Sequence, residues 1–234
     1  MKTLAVIPAR GGSKGLPGKN LKLLGGIPLI AHAVLCAKGS SKISRIIVTT
    51  DCDQITQAAE KSGAEVIKRP AELASDESNV VSAVEHVLQE IGEEFDTIVL
   101  LQPTSPLRLS SDLDAILSLL ENNPDTDGAV SVIQVDDTHP ARMYTVNPSH
   151  ELIPYIQNQE TARRQDLEPV YLRNGCFYAV RTDAFLREKS FMVKKKMPYT
   201  MNAEWLANVD NARDFKITEI LYEAWKDENT HYGI

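Results

Sequence analysis

The stretch TLAVIPARGGSKGLPGKN, from Thr3 to Asn20, decides the fold. Its first six residues form a short β-branched and apolar run that ends at Pro8. A loop with four glycines and the cations Arg10, Lys14 and Lys19 follows. Beyond it, Gly26 to Ala37 carries apolar residues at helical spacing, so the opening unit reads strand, long loop, helix. In open parallel sheets, ligands sit beyond the carboxyl ends of strands, and this loop starts at such an end. Glycine lets the backbone approach an anion, and arginine and lysine neutralise several phosphate charges at once. The loop therefore reads as a triphosphate cradle. It is neither GxGxxG nor GxxxxGK[ST], which sets aside the two commonest nucleotide motifs.

The same alternation continues outward. Ser44 to Thr50 (SRIIVTT) is expected as a strand, Gln54 to Ser62 as a helix, and Glu65 to Lys68 as a strand after the Gly63 stop. Val80, Val81, Val84, Val87, Leu88 and Ile91 recur at the interval of an amphipathic helix, and Thr97 to Gln102 (TIVLLQ) follows as a buried strand. Asp112 to Leu120 reads as a helix, Asp127 to Ile133 and Gly175 to Val180 as strands, and Asn211 to Trp225 as a closing helix. This predicts an α/β fold: a three-layer α/β/α, Rossmann-like arrangement with a mostly parallel sheet. The whole chain, 1–234, is expected as a single domain. From about Gln134 to Val170 the pattern weakens among Pro140, Pro148, Pro154 and Pro169, which predicts an excursion over 134–170 serving as a lid or subunit contact. The Lys194 to Lys196 run is expected as a solvated surface loop.

The 234 residues are 43% hydrophobic and 24% charged, an ordinary globular mixture. Lys plus Arg number 25 against 32 Asp plus Glu, a net charge of −7, so no global positive field attracts nucleic acid or an anionic membrane. No segment approaches the roughly 20 apolar residues of a membrane span. The run Leu4 to Ile7 is too short for a secretory core, and Cys36, Cys52 and Cys176 show no zinc or disulfide spacing. A cytoplasmic protein is expected. His32 lies within an apolar helix and is expected as a core histidine, and Cys176 as a buried thiol with no covalent intermediate.

PARGGSKGLPGKN followed by GGIPLIAHAV resembles the signature of the sugar nucleotidylyltransferases, specifically the acylneuraminate cytidylyltransferases, or CMP-sialic acid synthetases. IIVTTD at Ile46 to Asp51, RPAELASD at Arg69 to Asp76, LLQPTSPLR at Leu100 to Arg108, and RRQ with YLRNGCFYAV at Arg163 to Val180 match that family's blocks in order. The resemblance implies a nucleotidyltransferase fold and transfer of CMP from CTP to a nonulosonic acid, with Mg²⁺ as cofactor. It also implies a homodimer formed through the excursion. The alternatives are a sugar-1-phosphate nucleotidylyltransferase using another base and an inactive nucleotide-binding homologue.

Carried over by position, the resemblance assigns catalysis to Arg10, Lys19 and Asp210. It places the nucleotide against Pro8, Ala9, Arg10, Gly11, Lys14, Lys19 and Asn20, with Arg69 on the base. A base-contacting serine falls within SDESNVVSA, which offers Ser78, Asn79 and Ser82; Ser78 is taken. The sugar acid is expected at Gln102, Thr104, Ser105, Arg142, Arg164, Arg173 and Asn174. YLRNG departs from the RPNG pattern in placing the arginine one residue nearer the asparagine, at Arg173. Asn208-Val209-Asp210 stands where many members have two aspartates flanking one residue, so Asp210 and Asn208 are the expected metal ligands. Asparagine supplies a carbonyl oxygen but no charge. Capping of the closing helix is the other expected role for Asp210 and Asn211.

Overall fold

The computed structural model describes residues 1–74, 79–135 and 138–229. It begins with β1 (Thr3–Pro8), followed by the small hairpin β2 (Leu23–Leu24) and β3 (Ile27–Pro28), then α1 (Leu29–Gly39), β4 (Arg45–Thr50), α2 (Asp53–Ser62) and β5 (Glu65–Lys68). Next come α3 (Val80–Ile91), β6 (Thr97–Leu100), α4 (Ser110–Glu121) and β7 (Gly128–Val135). A second hairpin, β8 (Tyr144–Val146) and β9 (Leu152–Pro154), precedes β10 (Val170–Arg181), α5 (Thr182–Glu188), β11 (Lys196–Thr200) and α6 (Ala212–Asn229).

Seven strands form one sheet in the order β11-β7-β10-β6-β1-β4-β5. Strand β10 runs antiparallel to both β6 and β7, while the other ladders are parallel. The expected mostly parallel three-layer sheet is therefore what the chain forms. The period of two in β1 shows why. Ala5 and Ile7 pack with residues of α1, α2 and α4, and Leu4 and Val6 pack with residues of α3 and α5. Both faces of β1 are dry, so its sequence is a continuous apolar run. The chain passes from β1 outward to β4 and β5, then returns to lay β6 on the other side of β1. The crevice between the ends of β1 and β6 is the switch point where ligands bind in such sheets.

Differences from the sequence reading have local causes. Helix α1 starts at Leu29 instead of Gly26, because Gly25 and Gly26 form the two-residue turn of the β2–β3 hairpin, with φ of 57° and 85°. The strand expected over Gly175 to Val180 extends back to Val170, with its pairing to β7 interrupted between Arg173 and Tyr178. Lys196, expected in a surface loop, opens the edge strand β11, whose side chains alternate between exposed and half-buried. Helix α5 and the β8–β9 hairpin lie where no regular element was expected.

Candidate active site

The loop after β1 is laced to its surroundings. The Ala9 amide donates to the Thr49 carbonyl at 3.0 Å, and the Gly11 amide to Asp51 Oδ1 at 2.8 Å, which ties the loop to the end of β4. Asn20 Nδ2 closes the loop on itself by donating to the Arg10 carbonyl at 3.0 Å. Lys19 Nζ reaches across 190 residues to donate to the Val209 carbonyl at 2.9 Å and pairs with Asp210 Oδ1 at 3.3 Å. At Gly15 a Cβ would lie 2.2 Å from the Asp210 carbonyl oxygen, so only glycine lets these two backbones meet. The loop and the 208–210 segment thus form one unit.

Arg69 is 8% exposed and donates through Nη2 to the Thr49 carbonyl at 2.8 Å and through Nε to Thr49 Oγ1 at 3.3 Å. Burial draws its pKa below the usual arginine range; Asp51 opposes that shift and Arg10 adds to it. A desolvated guanidinium fixed from behind is a preorganised partner for a polar edge.

Two clefts adjoin this unit and share Gln102. The smaller, about 300 Å³, is lined by Pro8, Arg10, Ser13, Lys19, Asn20 and Arg69, and closed by Asn79, Val80 and the turn Gln102 to Thr104. The larger, about 600 Å³, is lined by Arg173, Asn174 and Asn208 with side chains from β10, the 206–208 segment and the first turns of α6. Of the residues expected to bind, Ala9 and Ser105 are buried behind the walls. Ser105 Oγ donates to the Asn174 carbonyl at 3.0 Å. Gly11 and Lys14 belong to the loop without lining either cleft. Ser78 lies outside the described residues. Asn79 accepts the Ser82 amide at 2.9 Å and so caps α3, leaving Val80 beside it at the edge of the smaller cleft.

Arg142 and Arg164 stand apart from both clefts. Arg142 donates to the Glu160 and Ala162 carbonyls at 2.8 and 2.6 Å, fastening the excursion loop, and Arg164 opens an exposed 3-10 turn. Asn174 is held tightly. Its Oδ1 accepts Ser131 Oγ at 2.6 Å and the Cys176 amide at 3.2 Å, so the break in the β7–β10 ladder is filled by side-chain bonds.

Helix α6 is capped by Asn211, whose Oδ1 accepts the Asp214 amide at 3.0 Å. Asp214 Oδ2 in turn accepts the Asp210 and Asn211 amides at 3.1 and 3.2 Å. Asp210 therefore contributes its amide to the cap, which leaves its carboxylate to Lys19 and to Asn208 Nδ2, 2.6 Å away. Among the described residues no group of three or more His, Cys, Asp or Glu side chains is placed to hold a metal ion. Asp210 with the Asn208 amide is a small hard-oxygen donor set, suited to a cation that takes most of its ligands from phosphates and water. The Asn208 carbonyl faces the same place once its amide is turned over, a choice set by what binds there.

Arg108, inside LLQPTSPLR, carries no local sequence signal of its role. It is 3% exposed, donates to the Cys176 carbonyl at 2.6 Å and the Gln102 carbonyl at 2.9 Å, and lies over the Phe177 ring. It ties the turn bearing Gln102 to β10. Burial pushes the Cys176 thiol up to about 12, so it stays protonated. His32 is a core residue, as expected: Nε2 bonds the Leu24 carbonyl at 3.0 Å and burial lowers its pKa. No helix among the described residues is long and apolar enough to cross a membrane.

The chain is 34% identical over 217 residues to an N-acylneuraminate cytidylyltransferase of Streptococcus agalactiae, covering 92% of this chain and 52% of that protein. It therefore spans about half the length of that relative. It is 35% identical to the CMP-N,N'-diacetyllegionaminic acid synthase of Legionella pneumophila, covering 95% of this chain and 97% of that one. In fold it is similar to a solved CMP:2-keto-3-deoxy-manno-octonic acid synthetase complexed with CTP, with a TM-score of 0.71 and 20% identity over 96% of this chain and 99% of that one. The cytidylyltransferase family model matches residues 4–228. With nearly the whole chain inside that match and a nucleotide-sized cleft at the switch point, the chain belongs to the cytidylyltransferase family.

Proposed function

We propose that this chain activates a nonulosonic acid with CTP, giving the CMP-sugar and pyrophosphate. The observation that carries the reading is the pair of clefts meeting at Gln102, one walled by Arg10, Lys19 and Arg69, the other by Arg173 and Asn208. The first suits a nucleoside triphosphate and the second an acidic acceptor. Family membership and the names of the Streptococcus and Legionella relatives support the same substrates.

The reaction is an in-line displacement: an acceptor hydroxyl oxygen bonds the α-phosphorus, the bond to the pyrophosphate oxygen breaks, and pyrophosphate departs. Such chemistry needs positioning and charge neutralisation more than acid or base groups. The loop amides and Lys19 hold the triphosphate, Arg10 meets the charge that grows on the α-phosphate, and Arg69 meets the base. Gln102, at the junction, orients the acceptor. Asp210 and Asn208 are the residues that would hold Mg²⁺, which when bound neutralises phosphate charge and polarises the reacting phosphorus.

The excursion is read as the contact between two copies of the chain. Its hairpin exposes Val146, Leu152 and Tyr155 by 63%, 64% and 67%, an apolar density that a second copy would cover. Within such a homodimer Arg142 and Arg164 would reach the partner's acid cleft. A cytoplasmic enzyme is the matching location, close to its CTP supply.

The test is pyrophosphate release with Mg²⁺, crossing CTP, UTP, ATP and GTP against nonulosonic acids, 2-keto-3-deoxy-manno-octonic acid and sugar 1-phosphates. Release confined to CTP and a nonulosonic acid is expected. Release only with a sugar 1-phosphate would overturn the reading.

A further inference from the structure

The larger cleft sets aliphatic side chains beside its polar and cationic ones. Leu172 of β10, Leu206 and Ile217 of α6 line it and are 47%, 37% and 40% exposed, so three large aliphatic side chains face solvent inside one concavity. Scattered exposed leucines need no explanation, but aliphatic side chains gathered in a cleft beside polar anchors mark a ligand surface. The same cleft holds two guanidiniums, Arg173 and Arg213, neither of which makes a salt bridge among the described residues. The charged group beside them is Asp214, whose carboxylate is already engaged with the Asp210 and Asn211 amides. The cleft thus offers two cations and an aliphatic wall.

From this we infer that α6 selects the acceptor: Arg213 pairs with its carboxylate alongside Arg173, and Ile217 with Leu206 and Leu172 covers apolar substituents elsewhere on the sugar. The inference deepens the cytidylyltransferase reading and rests on it. The acceptor it names is a diacylamino, terminally deoxygenated nonulosonic acid, in which a second acylamino group replaces a hydroxyl of N-acetylneuraminate and a chain-end methyl replaces its terminal hydroxymethyl group. Burying a hydroxyl against an aliphatic wall strands a polar group, whereas burying a methyl there removes apolar surface from water.

The experiment compares kcat/KM for N,N'-diacetyllegionaminate and N-acetylneuraminate, with CTP, in the full chain and three variants. The unsubstituted protein is expected to prefer the diacylated acid by at least about tenfold, the discrimination that one or two apolar groups provide. Ile217→Ser and, independently, Leu206→Ser should each lower that ratio several-fold with the KM for CTP unchanged. Both positions are partly exposed, so the fold should tolerate the change. Arg213→Gln should raise KM for both acids together and leave their ratio alone. A preference for N-acetylneuraminate, or a ratio indifferent to both serine variants, overturns the inference while leaving the cytidylyltransferase reading intact. So does a change in the solution mass of Ile217→Ser, which would assign the aliphatic wall to a second copy of the chain. No pyrophosphate from any nonulosonic acid with CTP overturns the underlying reading itself.

Discussion

The two clefts that meet at Gln102 are built in opposite ways. The smaller cleft comes largely from one contiguous loop, and its main chain is fastened by the bonds of Ala9, Gly11, Asn20 and Lys19 and by the Gly15 contact. Its shape is set before anything binds, which is the condition for electrostatic stabilisation without reorganisation. The larger cleft is gathered from β10, the 206–208 segment and α6, and its guanidiniums and aliphatic side chains remain open. Under the proposed assignment of a triphosphate to the first cleft and an acid to the second, the difference makes binding the nucleotide and choosing the acceptor separable tasks.

The largest effect should come from breaking the rigid side. Arg10→Ala is expected to reduce turnover by about 10² to 10³-fold, the range for loss of one transition-state donor, with a much smaller change in the KM for CTP. Pyrophosphate release at saturating CTP checks this. Equal losses in both constants would make Arg10 a ground-state anchor and weaken the contrast.

The joint between the clefts should respond next, and mainly in stability. Asn174→Ala leaves the Cys176 amide without its buried acceptor and the Ser131 hydroxyl with only the Phe177 carbonyl, 3.1 Å away, at a cost of about 1–3 kcal/mol. Thermal or urea unfolding measures that loss. Because β10 carries Arg173 next to this position, KM for the acid should rise while KM for CTP holds. An unchanged unfolding midpoint would show that the bulge is held from elsewhere.

How much could be read from the chain follows the same division. The β1 strand, its loop and the flanking β/α units were legible because the signals are local: a run of apolar residues, four glycines among cations, and helical spacing. The roles of Arg108 and Asp214 were not. Arg108 acts through carbonyls at Gln102 and Cys176, the latter 68 residues away, and nothing near Pro106-Leu107 announces that. Asp214 is the reciprocal half of the cap, three residues beyond Asn211; the cap at Asn211 is the one expected, and its carboxylate partner inside the helix is not announced by the sequence. Strand β11 was hidden because edge strands are short and charged, and three lysines stand at its entrance. Helix α5 has seven residues, too few for a period to show.

A smaller effect concerns the proposed Mg²⁺ position at the boundary. Asn208→Asp adds a negative charge beside Asp210, and removes the Asn208 Nδ2 donor that now bonds its carboxylate at 2.6 Å. The Mg²⁺ concentration for half-maximal activity should fall, roughly three- to tenfold, since ligand charge count tunes affinity for hard cations. A titration of activity against Mg²⁺ measures it. Asp210→Ala should abolish the Mg²⁺-dependent activity, and full activity in that variant would remove Asp210 from the metal site.

The smallest effect comes from the contact joining the two halves away from the site. His32 of α1 meets the Tyr222 ring of α6 edge-on, with centroids 5.4 Å apart, so it connects the core under the rigid loop to the helix that walls the acid cleft. Burial lowers its pKa from 6.5, with the Leu24 hydrogen bond opposing the shift. Above that value the ring is neutral in both folded and unfolded chains and contributes no pH dependence. As pH falls below it, the unfolded chain takes up a proton that the folded chain resists, so stability falls with pH. The melting temperature should therefore drop on acidification from pH 7, and His32→Gln should reduce the slope, since glutamine carries an amide donor but no titrating group. If the two proteins lose stability in parallel, the α1–α6 contact does not sense protons.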